Sequence, residues 1–365
     1  MTLTPRVRRH LAGVLLLLGA TAADAEVLRI GVATGGGGDP VTSGGSALGV
    51  VRNQQLLEKA FAGSGTDVQW FFFKGAGPAV NEALSNQQID FAWEGDLPQV
   101  VARANGLDTR LIAAVGTRGN SYVAVPKGSP IKTLADLKGK KVAIFRGTNG
   151  HLVAINILKT QGLTERDLKV INLDSGSTLA ALATNGVDAA FGGMELFKLR
   201  DQGIVDIIYS TQGQDVGLTR QTSLLVRHAY AESHPAQTQK VVDVLVDAAR
   251  WASDPANQQA LYQEWAKSGV PDASWQAEFA NQSLRVRNSP LLDPFFRSRY
   301  QAVAEQAKAQ RLIRQPVSVS GWFDTRYLDK ALKDKNLQDY WAPAGVNGQP
   351  ETASPPSQEV AHAPG

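Results

Sequence analysis

From Val27 onward the chain alternates short apolar runs with amphipathic stretches, and this alternation constrains its fold more than any other feature. Brief extended runs separated by helix-spaced patterns read as βαβ units, an α/β protein with a mostly parallel sheet. Strands are predicted at 27–33, 68–73, 89–93 and 109–115. Between them fall helices at 78–84 and 97–104 and a helical stretch marked by Leu48, Val51, Leu56 and Phe61. A second unit repeats the scheme, with strands at 122–125, 141–145, 168–173, 188–191 and 205–209. Its helices are expected near 134–137 and at 149–161, 178–184 and 195–201, and Gly162 is placed to end the second of these. The extended stretch 221–226 returns the chain to the first unit. Beyond residue 230, helices at 236–253, 255–267, 273–282, 294–310 and 324–332 are expected on the outside of that unit.

The first 25 residues read as an address rather than as fold. Arg6, Arg8 and Arg9 precede an apolar run from Leu11 to Ala20, and Ala23-Asp24-Ala25 supplies a small-residue cleavage site, the pattern of a secretory signal. The run is about half of the ~20 residues that span a bilayer, and no cysteine follows it to carry a lipid anchor. The net charge of +3 shrinks to 34 basic against 33 acidic side chains once residues 1–25 are removed. So weak a charge excludes a nucleic-acid partner. With no cysteine and only five histidines, thiol chemistry is excluded, and no metal site, cofactor or catalytic residue is expected. The proline-rich stretch 342–365 is predicted to be disordered.

Ligands of open α/β sheets bind beyond the carboxyl ends of the strands. The loops expected there are rich in small and polar residues: the glycine run with Gly36 and Gly37, then Gly75-Ala76-Gly77-Pro78, then Glu94-Gly95-Asp96. In the second unit they are Arg146-Gly147-Thr148-Asn149-Gly150-His151 and Gly192-Gly193-Met194-Glu195. Glycine lets backbone N–H groups approach a ligand, and helix N-termini add open donors, a combination suited to a small oxyanion. Ordinary capped βα turns have the same composition. The glycine run lacks both the P-loop ending and the dinucleotide spacing, and no nucleophile elbow occurs. Glu94 and Asp96 put two carboxylates in one loop, a pairing that acid–base chemistry uses, but Asp96 is read rather as the cap of the helix beginning near Leu97.

At these loops the chain resembles the periplasmic substrate-binding proteins of ABC importers for sulfonates, taurine and nitrate, most closely the aliphatic sulfonate branch. The stretches that carry the resemblance include GPAVNEAL at 77–84, IDFAWEGDLP at 89–98, SPIKTLADLKGKKVA at 129–143 and GVDAAFGGMELF at 186–197. The resemblance implies a type II periplasmic binding fold, two doubly wound lobes joined by two crossover strands and closing like a clamp. It implies a cleft lined at Gly77, Pro78, Gly95, Asp96, Thr148, Asn149 and His151, with a further contact at Glu195, and delivery of the ligand to a membrane permease. Met194-Glu195-Leu196 departs from the family's usual tryptophan, aspartate and proline, where ligand identity would be decided.

The expected organisation is a signal at 1–25, a first lobe from 26–118 and 222–341, a second lobe at 119–221, and the tail. Hinges are expected near 116–121 and 214–221. The protein is read as a monomeric, non-catalytic periplasmic receptor for an anionic or zwitterionic small molecule, an aliphatic sulfonate, taurine or a similar sulfur compound. Donors would be loop N–H groups, Thr148 and Asn149, with Arg146 or Arg118 as additional candidates. Glu94, Asp96 and Glu195 would repel an anion unless turned away or paired, which opens the zwitterionic option. The alternatives are a nitrate or other anion receptor, and an enzyme on the same scaffold related to thiamine-pyrimidine synthesis.

Overall fold

The computed structural model describes residues 26–37 and 39–351; the signal at 1–25 and residues 352–365 of the tail lie outside them. Ten strands form two five-stranded sheets. The first five strands in the chain are β1 (Glu26–Val32), β2 (Thr66–Phe72), β3 (Phe91–Gly95), β4 (Thr109–Gly119) and β5 (Tyr122–Pro126). The others are β6 (Lys141–Ala143), β7 (Lys169–Ile171), β8 (Ala189–Gly192), β9 (Val205–Ser210) and β10 (Arg220–Arg227). The sheet orders are β2-β1-β3-β10-β4 and β7-β6-β8-β5-β9. This is the two-lobed type II arrangement.

Neither sheet is mostly parallel. β1 pairs in parallel with β2 and β3, but β10 runs antiparallel to β3 and β4. The second sheet repeats this, with β6 parallel to β7 and β8, and β5 antiparallel to β8 and β9. The reversed strands adjoin the crossings: β5 enters the second sheet where the chain leaves β4, and β10 brings it back. Extended runs do not carry direction, so strand patterns alone could not show this.

The first sheet buries Leu28, Ile30, Phe91, Leu111 and Leu224 beneath helices on its faces, and the second has a smaller core around Val123, Val142, Ile157 and Leu158. The expected continuous helix through 48–61 is two, Ala47–Asn53 and Leu56–Phe61, divided at Gln55 with φ 54°. The side chain of Asn53 donates to the carbonyls of Ser43 and Glu264 at this break, fixing the change of direction. The helix Pro235–Ala252 packs on Ala47–Asn53, and Pro294–Ala309 packs on Asp96–Ala104. Pro294–Ala309 starts at a capping residue, Asp293, whose Oδ1 accepts from the Phe296 N–H at 2.8 Å.

The disorder predicted from residue 342 does not begin there. Trp341 is fully buried, Ala344 exchanges hydrogen bonds with Phe295 and Asp293, and the Arg118 guanidinium donates to the Gly348 carbonyl at 2.7 Å. Residues 342–351 are tied to the start of the helix Pro294–Ala309 and to Arg118 of β4. Composition missed this segment because its contacts are mostly backbone hydrogen bonds.

Candidate functional site

The carboxyl ends of β1, β3, β6 and β8 face one cleft between the two sheets, with a cavity of about 380 Å³ and an adjoining one of about 660 Å³. The two share lining residues, among them Thr34, Gly36, Thr148, Asn149, Glu195 and Arg220. The two halves of the cleft already touch. A Cβ on Gly95 would lie 2.6 Å from the Asn149 side chain, and one on Gly147 would lie 3.0 Å from Pro78. Glycine is needed at 95 for this approach, since its φ of −81° suits any residue.

Of the residues expected in the site, Gly36, Gly77, Glu94, Gly95, Thr148, Asn149 and Glu195 line the 380 Å³ cavity. Four others do not. Gly37 packs against the end of the helix Gln258–Ala266, where a Cβ would overlap the Ser268 carbonyl oxygen. Pro78 is exposed at the cleft rim beside Gly147. Asp96 is buried away from the cavity, its carboxylate accepting from the Leu97 N–H at 2.7 Å and the Gln221 N–H at 3.1 Å. It thus ties the β3 turn to the crossover strand; burial pushes its carboxyl up to about 6 against the opposing pull of those bonds.

His151 is the fourth. Its Nδ1 accepts from the Gly147 N–H at 3.2 Å and its Nε2 lies 3.3 Å from Glu165, so both nitrogens are used inside the second lobe. That hydrogen bond is the main cause holding the Glu165 carboxyl below the usual carboxylate range. The candidate donors Arg146 and Arg118 are engaged elsewhere, with Glu165 and Gly348.

Several cleft residues had no local sequence signal. Arg220 starts β10, and Trp275, Glu278, Phe279 and Arg287 come from the C-terminal helical region. The Trp275 indole lies over Gly44, where a Cβ would meet it at 2.5 Å. Glu278 accepts from the Asn120 N–H and side chain, the Tyr122 hydroxyl at 2.6 Å and Arg287 at 3.0 Å, which fixes the C-terminal region to the β4–β5 crossing.

Residues lining the cavity also carry buried polar atoms that no protein group satisfies: Ser46 Oγ, Arg220 Nε, Trp275 Nε1 and both carboxyl oxygens of Glu94. Buried polar groups are otherwise almost always paired. Three of these are donors, one of them cationic. Trp93, Val270 and Phe279 give the same cavity an apolar side. Glu94 is 1% exposed, and burial pushes its carboxyl well above the usual carboxylate range. Among the described residues no group of three His, Asp or Glu is gathered to hold a metal ion.

Relatives agree with this architecture. A protein of Escherichia coli K12 named for binding aliphatic sulfonates is 34% identical over 173 residues, 47% of this chain and 50% of that protein. The chain therefore matches half the length of that relative. The solved structure of a periplasmic sulfonate-binding protein SsuA, so named, from Methylobacillus flagellatus KT is 31% identical with a TM-score of 0.75, over 88% of this chain and 98% of that one. The alkanesulfonate-binding protein SsuA of Xanthomonas axonopodis pv. citri, bound to MOPS, is 26% identical with a TM-score of 0.69, over 83% of this chain and 100% of that one. The family model described as NMT1/THI5 like matches residues 61–258, more than half of the 365. With two sheets facing one cleft and this match, the chain belongs to the NMT1/THI5-like family.

Proposed function

We propose that the protein is the solute-binding component of an ABC importer, closing its lobes around a small organic oxyanion of the sulfonate class and handing it to a membrane permease. The observation that carries this reading is Arg220, a guanidinium on a crossover strand whose buried Nε–H has no protein acceptor in the cavity. Ser46 and Trp275 add neutral donors, and the apolar side suits a hydrocarbon tail. Charge-assisted hydrogen bonds to an oxyanion would satisfy these groups. The names of the relatives supply the sulfonate.

In the same reading the lobes are 26–118 with 222–341 and 119–221, hinged near 116–121 and 214–221, and ligand contacts made by both select the closed state. The protein works as a monomer in the periplasm after losing residues 1–25, and releases its ligand unchanged. No helix among the described residues is long and apolar enough to cross a membrane. A thermal-shift panel of alkanesulfonates, aminosulfonates, sulfate esters and nitrate tests the function. A ligand at ~100 times its dissociation constant adds ~2.7 kcal/mol and raises the melting temperature. Arg220→Met should abolish the shift while leaving the free protein folded. A panel with no shift at all defeats the reading.

A further inference from the structure

Glu94 is the one carboxylate of the cleft that the protein leaves unsatisfied. The lining holds three, Glu94, Glu195 and Glu278, against two guanidinium groups, Arg220 and Arg287. Glu278 is paired with Arg287 and takes hydrogen bonds from Asn120 and Tyr122. Glu195 accepts from the Gly193 N–H at 2.9 Å. Its Oε2 and Arg220 Nη2 flank the same backbone site, 2.6 and 2.9 Å from where Gly193 would carry a Cβ. Asp96, one residue beyond Gly95, is held by two backbone N–H groups outside the cavity. Glu94 has neither a cation nor a donor on either oxygen, although Gly77 stands so close that its Cβ would lie 3.2 Å from Oε2. Its backbone is held, paired with Ser223 in the β3–β10 ladder, with Gln99 Nε2 donating to its carbonyl at 3.1 Å.

A buried carboxyl without partners lowers stability. A neutral donor from the ligand would still leave the charged form disfavoured. A protonated Glu94 would use one oxygen and leave the other open. An ammonium offers two or three N–H donors and a full positive charge, which matches two unpartnered oxygens. It also offsets the surplus negative charge that an ionised Glu94 gives this lining.

Resting on the reading that the cleft takes an oxyanion, we propose that Glu94 receives a cationic nitrogen of the ligand, so that the substrate class is zwitterionic: a sulfonate or kindred oxyanion bearing an amino or substituted amino group. The oxyanion end meets the donors Arg220, Ser46 and Trp275, and the nitrogen end meets Glu94.

Calorimetry with matched pairs tests this: taurine against ethanesulfonate, 3-aminopropanesulfonate against 1-propanesulfonate, and N-acetyltaurine as the amine-blocked control. The amino member of at least one pair should bind about tenfold or more tighter than its plain partner, the scale of a charged hydrogen bond. N-acetyltaurine should lose that advantage. Glu94→Gln, nearly identical in shape, should weaken the amino ligand by a similar factor and leave the plain sulfonate unchanged or tighter. The wild-type comparison needs no variant, so a misfolded Glu94→Gln protein would not weaken the test. Plain sulfonates binding as tightly as amino ones overturn this proposal while sparing the oxyanion reading. Binding by no sulfonate of either kind overturns both.

Discussion

Asn149 and Gly95 meet across the cleft with no room for a side chain between them: a β-carbon on Gly95 would stand 2.6 Å from the Asn149 carboxamide. Gly95 ends β3 and Asn149 opens the helix Asn149–Lys159 on the other side of the cleft, so their approach sets how closely the two sides can come together. Gly95→Ala leaves the backbone unstrained and should act on closure alone. Overpacking of this kind costs about 1–3 kcal/mol. Ligand affinity is therefore expected to fall roughly tenfold, with the melting temperature of the free protein unchanged. An unaltered dissociation constant would remove this contact from the closed state.

Asp96 gives the fold a pH signature of uncommon sign. Burial lifts its carboxyl from an ordinary 3.8 to about 6, so the folded state holds this proton more tightly than the unfolded chain. Its contribution to stability is therefore greatest below pH 4, declines as pH rises towards 6, and is flat above. About two pKa units correspond to roughly 3 kcal/mol. Urea unfolding of Asp96→Asn and the parent at pH 4 and pH 7 should show their difference moving in favour of the variant by up to that amount. A difference independent of pH would mean that the two backbone N–H bonds dominate instead.

Removing Glu278 strands three partners at once. Arg287 is buried with it, and Tyr122 and Asn120 lose their acceptor. Breaking one side of a buried ion pair costs about 3–5 kcal/mol. Glu278→Ala should show a loss of that order in denaturant unfolding, and Glu278→Met with Arg287→Met should recover a substantial part. If the double variant is no better than the single, the hydrogen bonds to the crossing matter more than the charge pair.

His151 should prove indifferent to ligand. His151→Ala is expected to keep the dissociation constant within about threefold, because both ring nitrogens serve the second lobe. It should cost about 1–3 kcal/mol of stability through the unpaired Gly147 N–H and the loss of one of the two partners of Glu165, which keeps Arg146. The Glu165 carboxyl should then titrate at higher pH by NMR, since the His151 bond is what mainly depresses it. Its depressed value contributes stability above the ordinary carboxylate range that is lost as pH falls, and the variant should lack that portion. A large loss of affinity would return His151 to the cleft.

Local pattern revealed the elements well and their assembly poorly. The strands at Val205–Ser210 and Arg220–Arg227 and the helices Asp96–Ala104 and Pro294–Ala309 announce themselves by apolar runs, capping residues or proline. So did the glycine-bearing turns, because close approach excludes side chains whatever lies opposite. Whether Asp96 faces a ligand or caps a helix depends on which way one carboxylate turns, and both outcomes use the same residue type. Arg220, Trp275 and Arg287 enter the cleft only because the return strand and the C-terminal helices fold back across the lobes. Nothing within a few residues of them distinguishes a cleft wall from an ordinary core or surface.

The placement of β10 between β3 and β4 bears on the order in which the molecule can assemble. A chain emerging N-terminus first has no complete first sheet until residue 227 is out, since its penultimate strand is supplied last. The whole of the second sheet, 122–210, is available before that. Such long-range closure is slow. The nascent first lobe thus cannot complete its sheet for most of its synthesis, and it closes in one late, slow step.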